Sequence, residues 1–302
     1  MHIACLGEGM IELSGQPLQR RSGGDTLNTA IYLARLLAGS PHHVRYLSGM
    51  GQDSLSRQLL ADWQAEGVDV SHVVILPGKL PGLYMVETDA QGERSFLYWR
   101  NDSAARHYFA CGIDFASLLH PAHLQAIYLS GISLALFNDA ERQRLLHALH
   151  DFSQAGGKVW FDNNFRPSLW TAAQARAGHQ AVLALADVGL LTLDDETALY
   201  GEETAEAVAS RTLALGCKEV VIKRGGEPCL LASAGLREEV LATAVPQVVD
   251  TTAAGDSFAA GYLASRVLGY TPAQSAAYAH RLSAAVIAHS GAIIPLPAMP
   301  LR

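Results

Sequence analysis

Strand-like and helix-like runs alternate along most of this chain, and that alternation restricts the fold more than any other feature. His2 to Leu6 reads as a buried strand. Asp25 to Leu37 carries Leu27, Ala30, Ile31, Ala34 and Leu37 at spacings of three and four, the period of one helix face. Val44 to Ser48 is strand-like, Ser54 to Glu66 helical, and Val73 to Leu76 strand-like again. From Asp114 the pairs repeat. Strands are expected at Ile127–Leu129, Lys158–Phe161, Val188–Leu191 and Glu219–Lys223, with helices at Asp139–Gln154, Ala172–Ala184, Asp194–Tyr200 and Ala205–Leu215. Leu230, Leu231 and Glu239–Val245 add strands, and helices Gly255–Leu268 and Pro272–His289 close the chain. Such alternation predicts an α/β fold, a mostly parallel sheet flanked by helices on both faces.

The pattern breaks once. Gly82–Thr88 and Ser95–Arg100 follow each other with only Asp89, Ala90, Gln91 and Gly92 between them, which reads as a hairpin. A small antiparallel β lid standing off the main body is expected there, with Glu12 and Leu13 contributing. The reading is one domain over residues 1–302, with the lid inserted at about 10–20 and 73–108.

Composition narrows the function. With 49% hydrophobic and 17% charged residues, the 302-residue chain has ample core. A net charge of −7 argues against nucleic acid or an anionic membrane as partner. No apolar run approaches the roughly 18 residues of a membrane span, and MHIACLGEG lacks the basic start of a signal peptide. Cys5, Cys111, Cys217 and Cys229 form no CxxC, so free thiols and a cytoplasmic location are expected.

Asp250 to Phe258, DTTAAGDSF, is the densest chemistry. A strand-like run, Ala244 to Val249, leads to small residues and then to an apolar-periodic helix starting near Asp256. The first turn of a helix has unpaired N–H groups and attracts anions. A carboxylate in that turn can accept a proton, and a cradle beside a base suits phosphoryl transfer. Taken alone, Asp256 also reads as an ordinary N-cap. Three further segments lie just past strands: Asp162, Asn163, Asn164, Phe165, Arg166; Lys223, Arg224, Gly225, Gly226; and Tyr98, Trp99, Arg100, Asn101, Asp102. Each also reads as a plain turn or as packing. Glu196 could help hold hydrated Mg²⁺ or be an exposed acid at a helix start. A dinucleotide fingerprint at Gly7 and Gly9 fails because Glu12 replaces the third glycine. Walker A and HExxH patterns are absent, and the pairs His120/His123 and His147/His150 lack an accompanying carboxylate or cysteine in their pattern.

In this order the segments resemble the ribokinase-like (PfkB) family of carbohydrate kinases over essentially the whole chain. DTTAAGDSFAAG is similar to its C-terminal signature; Gly23, Gly24, Asn28 and Ala30 to its N-terminal substrate motif; DNNFRPSLW to its DxNxRxxLW segment; and KRGG to its nucleotide loop. Within the family, FLYWRNDSAA and GEGMIEL are similar to the 2-keto-3-deoxygluconate kinases. The resemblance implies ATP, Mg²⁺ and a small sugar acid as ligands, with a monovalent cation such as K⁺ a further candidate. It implies Asp256 as base and an anion hole from the amides of Ala253, Ala254, Gly255 and Asp256. It places Gly24, Asn28, Tyr84, Tyr98, Arg100, Arg166 and Asp256 at the substrate, with the two arginines on its carboxylate. Asn164, Lys223, Gly225, Gly226, Ala254 and Gly255 fall near ATP, and Glu196 near the metal through water. A kinase for fructose or ribose, or a non-catalytic sugar- or nucleotide-binding regulator, remains the alternative. A homo-oligomer through the lid edge is expected. Two positions depart from the family pattern: Ala253 stands where glycine is common, and Leu193 where the NxxE motif has asparagine.

Overall fold

Successive side chains of a strand point to opposite faces, and the first strand divides the interior in two. Ile3 and Cys5 join one apolar cluster, Ala4 and Leu6 the other, and all four are buried. The computed structural model describes residues 1–15, 17–88, 94–111, 113–120 and 122–301. The hairpin turn expected at Asp89 to Gly92 lies outside them.

In chain order the strands are β1 (His2–Leu6), β2 (Met10–Ser14), β3 (Gln19–Gly23), β4 (His43–Leu47), β5 (Gly49–Met50), β6 (Val68–Asp69), β7 (Val74–Ile75) and β8 (Gly82–Thr88). There follow β9 (Arg94–Trp99), β10 (Ala126–Ser130), β11 (Lys158–Asp162), β12 (Val188–Thr192), β13 (Glu219–Lys223), β14 (Cys229–Ser233) and β15 (Leu236–Val240). The α-helices are α1 (Asp25–Leu37), α2 (Ser54–Ala65), α3 (Phe115–Leu118), α4 (Gly131–Ala135) and α5 (Asp139–Gln154). The remainder are α6 (Ala172–Leu183), α7 (Leu193–Tyr200), α8 (Ala205–Leu215), α9 (Ala254–Val267) and α10 (Pro272–Ile287). Their ends follow local chemistry. Asn138 with Glu141, and Thr171 with Gln174, form capping boxes. Thr271 does the same with Gln274, ahead of Pro272 in the first turn. Among the described residues no helix is long and apolar enough to cross a membrane.

The large sheet has nine strands in the order β15-β14-β13-β12-β11-β10-β1-β4-β6. All pairs are parallel except β13–β14 and β14–β15. From β1 the chain builds outward through β4 and β6, then returns to β10 on the other side. The strand order therefore reverses between β1 and β10. In open α/β sheets that switch point opens a crevice beyond the carboxyl ends of the strands, where ligands bind.

The second sheet has the order β3-β2-β8-β9, and β5 pairs with β7 separately. Its strand β3, QRRSG, shows no apolar alternation, because it is a polar edge strand. The extended run expected to carry the chain from Glu239 to Val249 is a correction. The strand ends at Val240, and Leu241, Val248 and Val249 are 78%, 53% and 50% exposed. Among the described residues the outer edge of β15 stays unpaired, and in the segment that follows it Pro246 lacks a donor. The segment is instead tied to α10, where the amides of Val249 and Asp250 both donate to Ile287 O.

Candidate active site

The helices that start at the switch point set the site. α1 begins with Asp25 directly after Gly24, and α9 begins with Ala254 after a turn tied by Asp250. The Asp250 carboxylate accepts from the amides of Thr252 (2.8 Å) and Gly291 (2.7 Å). Ala253 then adopts the left-handed conformation, φ 60° and ψ 17°. Asp256 sits in the first turn of α9. Asn28 Nδ2 donates to its Oδ2 at 2.8 Å, and Thr29 Oγ1 donates to its main-chain oxygen at 3.3 Å. The Ala254 amide is taken by Thr251 O. The amides of Gly255 and Asp256 have no acceptor among the described residues, as expected for the second and third positions of a helix.

Carboxylates gather around this turn. Asp25 accepts from Ser130 Oγ at 2.5 Å and from Asn164 Nδ2 at 2.7 Å, so it spans the crevice from β10 to β11. Lys223 Nζ donates to Asp162 Oδ2 at 2.6 Å, and a Cβ on Gly255 would lie 3.6 Å from that same nitrogen. Burial raises the Asp256 carboxyl well above the usual carboxylate range, and Asp25 and Asp162 push it further, against the Asn28 hydrogen bond and Lys223. Burial also raises Asp162, opposed by Lys223. A carboxylate held in this way is a proton acceptor near neutrality.

The small sheet closes the other side. Tyr84 donates its hydroxyl to Glu12, and Tyr98, half-exposed, lies 5.9 Å from Tyr84 ring to ring. Arg100 is paired with Glu8. Gly24 has φ 130°, and a Cβ there would stand 2.2 Å from Glu8 O. Glycine is thus required where β3 hands over to α1. Arg166 lies just past β11, on the Asp195 side of the crevice. Its side chain is 48% exposed, lies 3.5 Å from Asp195 and donates from Nη1 to Phe165 O at 2.8 Å.

Gly225, at φ 60°, and Gly226 have open space where a Cβ would be, so the turn after β13 can admit a ligand against its backbone. With Lys223 and the two free amides it fits phosphate groups. Glu196 corrects the exposed-acid reading. It is buried, accepting from Asn163 Nδ2 at 2.9 Å and Arg211 Nη2 at 3.0 Å. Leu193 opens α7. Among the described residues no three His, Cys, Asp or Glu side chains are grouped to hold a metal ion. Magnesium, however, keeps most of its waters and takes one or two carboxylates plus phosphate oxygens. Asp162, just where β11 ends, has one oxygen on Lys223 and the other open to a hydrated ion, and Asp195 follows β12 beside it.

Sequence reasoning missed Glu8, Glu12 and Asp25. A signal was present: two acids four apart, inside an otherwise apolar and glycine-rich run, are costly to bury unless each has a partner.

The chain matches the family described as pfkB family carbohydrate kinase over residues 2–299. It is 48% identical to the 2-dehydro-3-deoxygluconokinase of Dickeya dadantii over 305 residues, covering 99% of this chain and 98% of that one. To the enzyme of the same name from Escherichia coli K12 it is 45% identical over 304 residues, with 99% and 98% covered. The crystal structure of a PfkB protein from Polaromonas superposes with TM-score 0.81 at 29% identity, covering 94% and 95% of the two chains. An Escherichia coli protein described as a ribokinase II, solved with ATP and Mg²⁺, has the same fold, with TM-score 0.84 at 24% identity and 99% and 96% covered. A family match over residues 2–299 and relatives 45–48% identical along nearly their whole length carry one conclusion: the chain belongs to the pfkB family of carbohydrate kinases.

Proposed function

We propose that the protein transfers the γ-phosphoryl group of ATP to the terminal hydroxyl of 2-keto-3-deoxygluconate, giving 2-keto-3-deoxy-6-phosphogluconate. The observation that carries the chemistry is the placement of Asp256: held by Asn28, raised toward neutrality, and beside two unpaired amides of its own helix turn. The choice of substrate rests on the relatives' name and their near-complete coverage. Asp256 accepts the proton of the attacking hydroxyl, while Asn28 keeps its carboxylate aimed. The amides of Gly255 and Asp256 and the end of the α9 dipole stabilise the charge on the transferring group. Lys223, Gly225, Gly226 and Ala254 line the place for the nucleotide, with Asn164 holding Asp25 beside them. Mg²⁺, when bound, neutralises phosphate charge, and Asp162 and Asp195 would hold it through water. Gly24, Asn28, Tyr84, Tyr98, Arg100 and Arg166 surround the sugar acid, the two arginines toward its carboxylate.

Release of ADP, measured across the keto acid, fructose and ribose, tests the reading. The keto acid should be preferred; equal or better turnover of fructose would move the assignment to a neutral-sugar kinase, and no release with any sugar would move it to a regulator. Asp256→Asn should lower turnover roughly 10²–10⁴-fold, and a folded variant with near-normal turnover would remove Asp256 from its role.

A further inference from the structure

After α10 the chain passes through residues 291–294 as irregular backbone, with Gly291, Ala292 and Ile294 buried. Buried main-chain groups outside a helix or strand need partners from elsewhere. Here side chains supply them. The Gly291 amide donates to Asp250 Oδ2 at 2.7 Å. Tyr32, fully buried on α1, donates its hydroxyl to Ala292 O at 2.8 Å and accepts from the Ile294 amide at 3.1 Å. Arg35 Nη1 donates to Ile294 O at 2.6 Å, while its Nε and Nη2 go to Glu66.

Asn28, Tyr32 and Arg35 are spaced by four and three positions, so they share one face of α1. That face reaches the Asp256 turn by two routes. Asn28 grips the carboxylate directly. Tyr32 grips residues 291–294, Gly291 of that segment holds Asp250, and Asp250 Oδ1 accepts from the Thr252 amide at 2.8 Å. The left-handed Ala253 follows, and then the amides of Gly255 and Asp256. The first route fixes the base and the second the amides. Burial pushes the Tyr32 phenol up to about 12, Asp256 adding to the rise against the Ile294 amide and Arg35. The group therefore keeps its proton and can donate and accept together. Phenylalanine would fill the same apolar space; the hydroxyl serves the two main-chain groups.

We propose that Tyr32 is a positioning residue for phosphoryl transfer: its hydroxyl, acting through residues 291–294 and Asp250, holds the amides of Gly255 and Asp256 in register with the carboxylate that Asn28 aims. This rests on the reading above that the turn carries the transfer. Such donors act where charge develops, so a small displacement is felt in the transition state and little in the bound sugar.

Tyr32→Phe leaves Ala292 O and the Ile294 amide buried without partners. It should lower kcat roughly ten-fold in the ADP-release assay, with the KM for the keto acid within about two-fold. Tyr278→Phe is the comparison. It removes another tyrosine bond to the same end of the chain, at Pro300 O, 3.1 Å and beyond the tied residues. Its kcat should stay within about two-fold of the natural value. Hydrogen exchange read by mass spectrometry supplies a measure free of turnover. Peptides covering 250–258 should exchange about ten-fold faster in Tyr32→Phe and at the natural rate in Tyr278→Phe. Arg35→Gln, which loosens the segment at Ile294 O, should move both readings in the same direction as Tyr32→Phe, and it carries the test if Tyr32→Phe does not fold. Natural kcat in folded Tyr32→Phe overturns the proposal. So do equal losses in Tyr32→Phe and Tyr278→Phe, or a lowered kcat with unchanged exchange over 250–258. If the unaltered protein releases no ADP with the keto acid, the kinase reading fails and Tyr32 loses its catalytic purpose. Faster exchange confined to 250–258 would then leave the mechanical link standing, and natural exchange there would end both.

Discussion

At the scale of single residues, the site holds side chains under opposing demands. Asp256 is kept where its charge is unwelcome, among Asp25 and Asp162 and away from water. Its folded pKa is raised, so between the unfolded value of about 3.9 and the folded one the native state binds the extra proton. Stability contributed by the protonated acid is then complete below about pH 3.9 and lost as pH rises through the folded pKa. Asp256→Asn should therefore raise the melting temperature at pH 8, with the gain vanishing near pH 4, even as turnover falls. A variant less stable than the natural protein at pH 8 would contradict this electrostatic account. Activity should rise with pH through the same titration, since only the ionised form accepts a proton. Ala253 is a second such residue. A Cβ in the left-handed region costs roughly 1–2 kcal/mol, partly offset because glycine orders at greater entropic cost. Ala253→Gly should stabilise the fold by up to about 1 kcal/mol, read as a higher urea midpoint at constant slope.

At the scale of elements, legibility followed pattern and range. Helices with a clean apolar stripe, such as α1, and apolar strands such as β11 were readable because local periodicity mirrors burial. β3 was not, since a polar edge strand has no stripe, and the exposed valines before Asp250 imitated one. The pairings of the site were equally hidden: Asn28 and Asp256 are 228 positions apart, and Glu8 and Arg100 are 92 apart. No local pattern encodes such a contact. The junction of β3 with α1 shows how tightly elements are joined. Gly24→Ala places a Cβ against Glu8 O in a backbone conformation that side chains avoid. It should cost roughly 2–4 kcal/mol and disturb both Asn28 and Glu8. Equilibrium unfolding with an ADP-release assay checks it; a variant of natural stability would mean that the junction is looser than described.

At the scale of the whole molecule, the large sheet separates two apolar clusters, and the one beneath α1 is completed by α9 and α10. Phe258, Tyr262 and Leu263 of α9 and Tyr278 and Leu282 of α10 all lie in it. A chain ending before Ala254 should therefore expose the apolar face of α1, bind a hydrophobic dye and be poorly soluble, while the intact chain does neither. The same arrangement has a consequence in time. Asn28 leaves the ribosome long before its partner Asp256, 228 residues later. At 5–20 residues per second that interval is on the order of ten to fifty seconds. Through it the growing chain carries α1 without the helix that covers it, and the crevice cannot assemble until α9 has been made.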